Sequence, residues 1–497
     1  LFTLRAYLSA DVISILGDEP SYFFNKREDE GHISAELADP ASHVAHLGEI
    51  LDEVDAGVTD AALKKRLFAR FYRIEVLARL AGPQFLGAPA EYQQELFTAL
   101  RTIARTRFAA VIQEGLGAFA RIRSRLLLEG ALPELIALGE RAAGVTLDAR
   151  VLRAAWTGGR LGIDFRVALS RGADARPLTV IERDGRLLLD PDVADDLVGP
   201  VDVTDEMASI RAQVSVVDRA TSLEWIVPGA TRLALRPGRE PDLGARRPAL
   251  VGFVALDPQR VGPGEQPLDD GAWDVVIRWL GLGMQATGGM RLSRKARSGA
   301  GPPIPPALVG TPVRWLVPRA DASGALRIGI GGPDRVPARM DDAARRVLRQ
   351  GRGVAIELPV ATERTGSLAA GTLRLTGPAG AFDLPASIDG ALGLLVVVVE
   401  DVTAGGAIPR GRYEMTAHIG GEAAPGLPVG SVVVRDDGRF VVLGVEPVSQ
   451  VARLRSVATW TARSAGSAVR GRAVATYRRL PSWAKDVVRT GRGRLRA

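Results

Sequence analysis

Cysteine is absent from all 497 residues. That excludes disulfides, thiolate zinc sites, iron–sulfur clusters and a cysteine nucleophile together. Histidine is scarce: His32, His43, His46 and His418 are the whole set, too few for a multi-histidine metal centre. No apolar run approaches the ~20 residues of a membrane-spanning helix. The longest, Leu392 to Val399, is β-branched and reads as a buried strand. The chain opens Leu1-Phe2-Thr3-Leu4, without the basic and apolar regions of a signal peptide, and reads as starting inside a larger domain. Neither a Walker phosphate loop nor a Gly-x-Ser-x-Gly elbow is present. Gly329-Ile330-Gly331-Gly332-Pro333 lacks the lysine of a phosphate cradle and reads as a turn.

What is present is ordinary globular composition, 46% hydrophobic and 24% charged, at a length that fits about three to four domains. The net charge of +7 is unevenly placed. From Val451 to Ala497 stand 12 Arg and Lys against one acid, Asp486, so this tail carries +11 and the other 450 residues carry −4. Trp460, Tyr477 and Trp483 are interspersed. A basic amphipathic tail over 451–497 fits an anionic membrane surface, with Arg470, Arg472, Arg478, Arg479, Trp483 and Arg492 as its contacts. A solvated arm is the plainer alternative, since glycines and Pro481 interrupt any single helix. Nucleic acid is not expected as a partner, because no recognition motif accompanies the charge.

Along the chain, residues 1–38 read as short extended pieces, Val12–Leu16 and Tyr22–Phe24, followed by a charged loop from Asn25 to Ser34. Residues 39–145 read as a helical bundle. Asp39-Pro40 caps its first helix, with Val44, Leu47, Ile50, Leu51 and Val54 at helical spacing. A second stripe is Leu63, Leu67, Phe71, Ile74 and Leu77, stopped by Gly82-Pro83; three more helices begin near Pro89, Leu116 and Pro133. His43 and His46 could face one metal from one helix face, but no third ligand is near, and surface or interhelical roles fit better.

Beyond Gly144 the period changes to alternation, and three β-domains are expected, over 146–240, 245–345 and 350–447. Arg183-Asp184-Gly185-Arg186 has the signature of a hairpin turn. Gly271-Ala272-Trp273-Asp274 and Gly411-Arg412-Tyr413-Glu414 repeat one another, each leading into an alternating strand. An aromatic at that place pins the corner of a β-sandwich by packing and a hydrogen bond. Trp156, Trp225, Trp273, Trp279 and Trp315 could stack on sugars if exposed, but core packing is the expected role.

The loop after Tyr22-Phe23-Phe24 concentrates Lys26, Arg27, His32 and Ser34. Two readings stand: a solvated turn, or phosphate contact through the Arg27 guanidinium. Phe2-Thr3-Leu4-Arg5-Ala6-Tyr7-Leu8, Val12-Ile13-Ser14-Ile15-Leu16-Gly17-Asp18 and Tyr22-Phe23-Phe24-Asn25-Lys26-Arg27-Glu28-Asp29, with Gly31 and Ser34, resemble the end of the catalytic domain of family 2 glycosyltransferases, closest to the actinobacterial and wall-teichoic-acid types. The resemblance implies a multidomain α+β chain: a remnant of a GT-A catalytic domain, a helical linker bundle, tandem antiparallel immunoglobulin-like β-sandwich domains, and a basic helical tail. It also implies that Lys26 and Arg27 contact donor or acceptor phosphate, that His32 and Ser34 line the acceptor side, and that the sandwiches trimerise. The full-length parent would transfer a sugar from a nucleotide-sugar to a cell-wall polymer or glycan, using divalent Mg or Mn, as a peripheral protein on the cytoplasmic face of the inner membrane. The catalytic base and metal motif are missing from this sequence, so the chain alone is expected to be inactive and to bind no metal. The alternative is a non-catalytic carbohydrate- or protein-binding protein.

Overall fold

The Asp39-Pro40 pair starts a helix as its chemistry predicts. The Asp39 carboxylate accepts from the Ser42 amide at 2.8 Å, and Pro40 takes the first helical position. The structure, a computed structural model, describes residues 2–10, 12–14, 39–111, 115–172, 174–238, 244–292, 304–310, 314–331, 346–350, 353–362, 366–391, 394–403, 407–419, 426–435 and 440–442. Its helices are α1 Phe2–Ser9, α2 Pro40–Gly57, α3 Ala61–Phe71, α4 Pro83–Leu86, α5 Ala90–Arg107, α6 Ala118–Glu129, α7 Leu132–Ala143 and α8 Pro191–Val198. The first seven are followed by strands, so the chain is a multidomain α+β protein with its helices toward the N-terminal side.

Two local readings are corrected. Val12–Leu16 is not a strand where it is described: residues 12–14 have no regular structure, and Val12 and Ile13 are 82% and 54% exposed. A strand needs a neighbour for its backbone hydrogen bonds, and none of the described strands lies beside this one. The second stripe also shifts. Tyr72–Leu77 forms a π-helical turn directly after α3, and its wider winding rotates the face that follows. Leu63, near the start of α3, and Ile74, within the turn, are exposed, while Tyr72, Val76, Leu77 and Leu80 are buried. The Tyr72 hydroxyl meets the buried Ser124 hydroxyl of α6 at 2.7 Å.

The chain divides into two compact units, 1–337 with 360–364, and 338–359 with 365–497. Strands of the first are β1 Val145–Thr157, β2 Arg160–Arg171, β3 Arg176–Pro177, β4 Val180–Arg183, β5 Arg186–Leu189, β6 Arg211–Asp218, β7 Glu224–Val227, β8 Gly229–Pro237, β9 Ala245–Leu256, β10 Gly271–Gly281, β11 Met284–Gly289, β12 Arg291–Leu292, β13 Ala307–Val309, β14 Arg314–Ala320 and β15 Leu326–Gly331. One sheet runs β12-β1-β2-β9-β4-β5, with β3 beside β2 and β8 beside β9. The other strands pair as β13-β14-β15-β10-β6-β7, with β11 on β10. The pairing does not follow the division expected between 240 and 245. Strand β9 joins β2 and β8, and β6 joins β10.

The β4–β5 hairpin turns at Asp184 and Gly185, both at positive φ, which is the geometry an Asp-Gly turn favours. Gly329–Gly331 lies in β15, not in a turn; Ile328 and Ile330 alternate into the core and set it as a strand.

The second unit contains β16 Arg346–Gln350, β17 Gly353–Thr362 up to Pro359, β18 Gly366–Gly377, β19 Gly380–Ala391, β20 Leu394–Val399, β21 Gly411–Ile419, β22 Leu427–Val434 and β23 Phe440–Val442. Leu395, Val397 and Val399 of β20 are buried, as the β-branched run predicts. The repeated corner is present in both units. Trp273 Nε1 donates to the Asp269 carbonyl at 3.0 Å, and the Tyr413 hydroxyl donates to the Pro409 carbonyl at 2.8 Å. Each aromatic is buried and reaches back four residues.

Candidate functional site

Side chains alternate across a strand, and β1, β2 and β9 use one face for the core. Ala149 and Val151, then Ile163, Phe165 and Val167, then Leu250 and Val254 are buried there. The opposite face is left to the alternate positions, and these are rich in arginine. Arg291 of β12 stands opposite Arg150 of β1, Arg150 opposite Arg166 of β2, Arg166 opposite Val251 of β9, and Val251 opposite Arg232 of β8. One row across five strands thus holds four arginines. The adjacent row is Asp148, Ala168, Ala249 and Ala234. Beyond the alanines lie the paired Arg247 and Arg236. On the other side, a bulge in β1 after Val151 sets Arg153 opposite Asp164, with Phe253 next to Asp164.

Charge on this face is not balanced. Asp148 accepts from Arg150 Nε at 2.6 Å and from an Arg247 terminal nitrogen at 3.3 Å. Arg166 Nε and Arg247 Nε are buried atoms without a hydrogen-bond partner. Arg166, Arg232, Arg236 and Arg291 make no ion pair among the described residues. Burial, followed by the neighbouring Arg236, Arg247 and Arg150, pulls the Arg166 guanidinium below its ordinary value against the pull of Asp148. Burial works to raise the Asp148 carboxyl, but Arg150, Arg247 and Arg166 together hold it below the usual carboxylate range. Burial raises Asp164, with Arg153 opposing.

Guanidinium groups are planar forks that bind phosphate or carboxylate oxygens bidentately. A row of them can take several oxyanions side by side. Among the described residues, no group of three or more His, Asp or Glu is placed to hold a metal ion.

Most of the site residues expected from sequence fall outside what the structure describes. Lys26, Arg27, His32 and Ser34, and Arg470, Arg472, Arg478, Arg479, Trp483 and Arg492, are outside the described residues. His43 Nε2 is 3.0 Å from the Glu75 carbonyl, an interhelical contact, and His46 lies at the surface near Glu49. Trp273, Trp279 and Trp315 are buried, and Trp156 Nε1 donates to the Pro305 carbonyl at 2.7 Å. Sequence reading passed over the arginine face. Its trace is there, in Asp148-Ala149-Arg150 and Asp164-Phe165-Arg166, but those pairs become one row only through pairing between distant strands.

No curated protein matches the chain. It can be superposed on the crystal structure of S. aureus TarS with 14% identity and a TM-score of 0.27, covering 81% of this chain and 64% of that one. The chain therefore spans less than two thirds of that protein. The crystal structure of S. aureus TarS 217-571 aligns with 11% identity and a TM-score of 0.22, over 78% of this chain and 100% of that one. Residues 40–139, from the start of α2 into α7, match the family model described as the glycosyl transferase TarS linker domain.

Proposed function

We propose that this chain is the C-terminal part of a family 2 glycosyltransferase that moves a sugar from a nucleotide-sugar donor to a cell-wall polymer. The match of residues 40–139 to the TarS linker domain carries this reading. The motif likeness of residues 1–34 to the end of a GT-A catalytic domain supports it, because it places a catalytic remnant just ahead of that linker. In this reading Lys26 and Arg27 contact phosphate, and His32 and Ser34 line the acceptor side. A divalent Mg or Mn belongs to the parent's missing half. The strands beyond 145 act as immunoglobulin-like sandwiches that position acceptor or assemble a homotrimer. The tail holds the protein to the cytoplasmic face of the inner membrane.

The chain as it stands has neither the base to activate an acceptor hydroxyl nor the acidic motif to hold a nucleotide diphosphate, so it is inactive alone. The test is sugar transfer from nucleotide-sugars to wall polymer, by this chain and by a form extended upstream of Leu1 in the natural reading frame. Transfer by the extended form alone, lost on chelation of divalent metal, is expected. An extended form without transfer would overturn the reading in favour of a non-catalytic binding protein, which the arginine face alone would also suit.

A further inference from the structure

We propose that α3 and the π-helical turn after it lie in the surface of an anionic lipid bilayer, with Leu63 and Ile74 among the headgroups. This contact rests on the reading above that the protein works at a membrane face, and adds to it a site within the described helices.

The seating of α3 is the first sign. Among α2–α7, α3 alone buries none of its residues. Its inner side rests on Phe68, whose ring meets Phe108 edge-on at 5.8 Å between centroids. Lys64 turns back to Asp55 at 3.3 Å. The outer side is uncovered. Leu63, Arg66 and Arg70 follow one another at the spacing of one helix face, and all three are exposed. Arg73 and Ile74 are exposed in the turn beyond. Leu63 and Ile74 are 38% and 39% exposed, whereas a helix packed in a bundle turns its apolar stripe inward. From one to the other is about 16 Å along a helix axis.

Charge is the second sign. Between Asp60 and Glu75 stand five cations, Lys64, Lys65, Arg66, Arg70 and Arg73, and no acid. Arg66, Arg70 and Arg73 make no ion pair among the described residues, and the Arg70 guanidinium lies 5.8 Å from the centre of the Phe71 ring. Cations interleaved with aliphatic residues are the pattern of a helix lying in a bilayer interface. The apolar side chains enter the headgroup boundary, and the long basic ones reach the phosphates beside them. A protein partner fits less well, because charged residues are depleted at the centre of a protein interface, and here they stand between the apolar ones. Phe71 is half-buried and packed against the core, so this face offers no stacking platform for bases. Two aliphatic side chains and a few cations hold a bilayer weakly, so α3 acts together with the attraction expected of the basic tail.

The experiment measures partition of the full chain onto vesicles of phosphatidylglycerol and phosphatidylcholine. No nucleotide-sugar is present, so failure here and failure of sugar transfer are separate results. Leu63→Ser with Ile74→Ser keeps the charge and should weaken partition about fivefold. Arg66→Gln with Arg73→Gln should weaken it about tenfold. Ile226→Ser with Leu235→Ser, and Arg232→Gln with Arg291→Gln, make matching changes at exposed strand positions and should leave partition within about twofold. Because the chain has no cysteine, Ile74→Cys can carry a single environment-sensitive dye. Its emission should shift to the blue when vesicles are added, and the same dye on Ile226→Cys should not respond. Unchanged partition in both α3 variants would leave the tail as the contact and overturn the proposal. Equal losses in the α3 and strand variants would reduce the effect to net charge and total apolar surface, and overturn it too. Loss in the arginine variant alone, with no response from the dye on Ile74→Cys, would mean adsorption without entry and overturn the placement of Leu63 and Ile74. In the form extended upstream of Leu1, a dye on Ile74→Cys already shifted without vesicles would show that the upstream part covers α3, and would replace the bilayer with an internal partner.

Discussion

Asp190 shows how one buried carboxylate can hold several pieces of backbone. It is 4% exposed and caps α8 by accepting from the Asp192 amide at 3.2 Å. The Thr179 hydroxyl and amide reach it at 2.9 and 3.2 Å, and Arg171 pairs with it at 3.3 Å. A buried charge is tolerated only with such a set of donors. Asp190→Ala leaves Thr179 and Arg171 facing an empty position, although Arg171 keeps Asp192 and is itself partly exposed. The expected cost is about 2–3 kcal/mol, seen as a lower urea midpoint at unchanged m-value. A change within about 0.5 kcal/mol would mean that solvent replaces the lost acceptor and that the network contributes little. Asp190-Pro191 carries the same cap-and-proline pattern as Asp39-Pro40, but nothing in residue order marks Thr179 and Arg171 as its further donors, which the fold brings together.

At the scale of elements, α6 is seated on the strands through its N-terminus. The first amides of a helix have no partner within it. Ala118 donates to Glu206 Oε2 at 2.8 Å, and Phe119 donates to the Leu282 carbonyl at 3.0 Å in the β10–β11 turn. Leu282 and Gly283 both have positive φ, and a Cβ on Gly117 would stand 2.2 Å from the Gly283 nitrogen. Gly117→Ala must push the helix off that turn, with an expected cost of about 1–3 kcal/mol; a thermal midpoint equal to that of the parent would show that the turn yields freely. Burial raises the Glu206 carboxyl, against the Ala118 hydrogen bond and Arg121. The folded chain therefore holds this proton more tightly than the unfolded one, and stability from this group falls as pH rises through the window just above the ordinary glutamate value. Glu206→Gln keeps an acceptor for Ala118 and should remove that part of the pH slope in urea titrations between pH 4 and 7. The helices themselves were legible in sequence because caps, prolines and apolar stripes act locally: Asp39-Pro40 and Gly82-Pro83 both punctuate the chain where expected. The π-turn at Tyr72 was not, since residue order carries no sign of the changed winding. Strand existence was legible too, and the Trp273 and Tyr413 corners with it. Strand partnership was not, because β2 with β9 and β6 with β10 are pairings across long stretches of chain, decided by packing and not by neighbours in sequence.

For the whole molecule, the question is what two separate basic regions do on one chain. The tail supplies +11 and the remainder −4, so the remainder is acidic in total while presenting seven arginines on one sheet face. Net charge governs long-range attraction to a broad anionic surface, whereas a local array governs contact with a ligand that fits it. The two regions should therefore differ in their response to an anionic membrane surface. Removing residues 451–497 reverses the sign of the chain's net charge and should abolish sedimentation with vesicles of phosphatidylglycerol and phosphatidylcholine. Arg232→Glu with Arg291→Glu should leave vesicle binding within about twofold, because the attraction expected of a basic tail, roughly 1 kcal/mol per basic residue near the surface, does not involve the sheet face. Both measurements are made at one ionic strength, since both attractions weaken with salt. If the face variant loses as much vesicle binding as the tail deletion, the attraction follows net charge, and the tail is not a separate membrane-binding region.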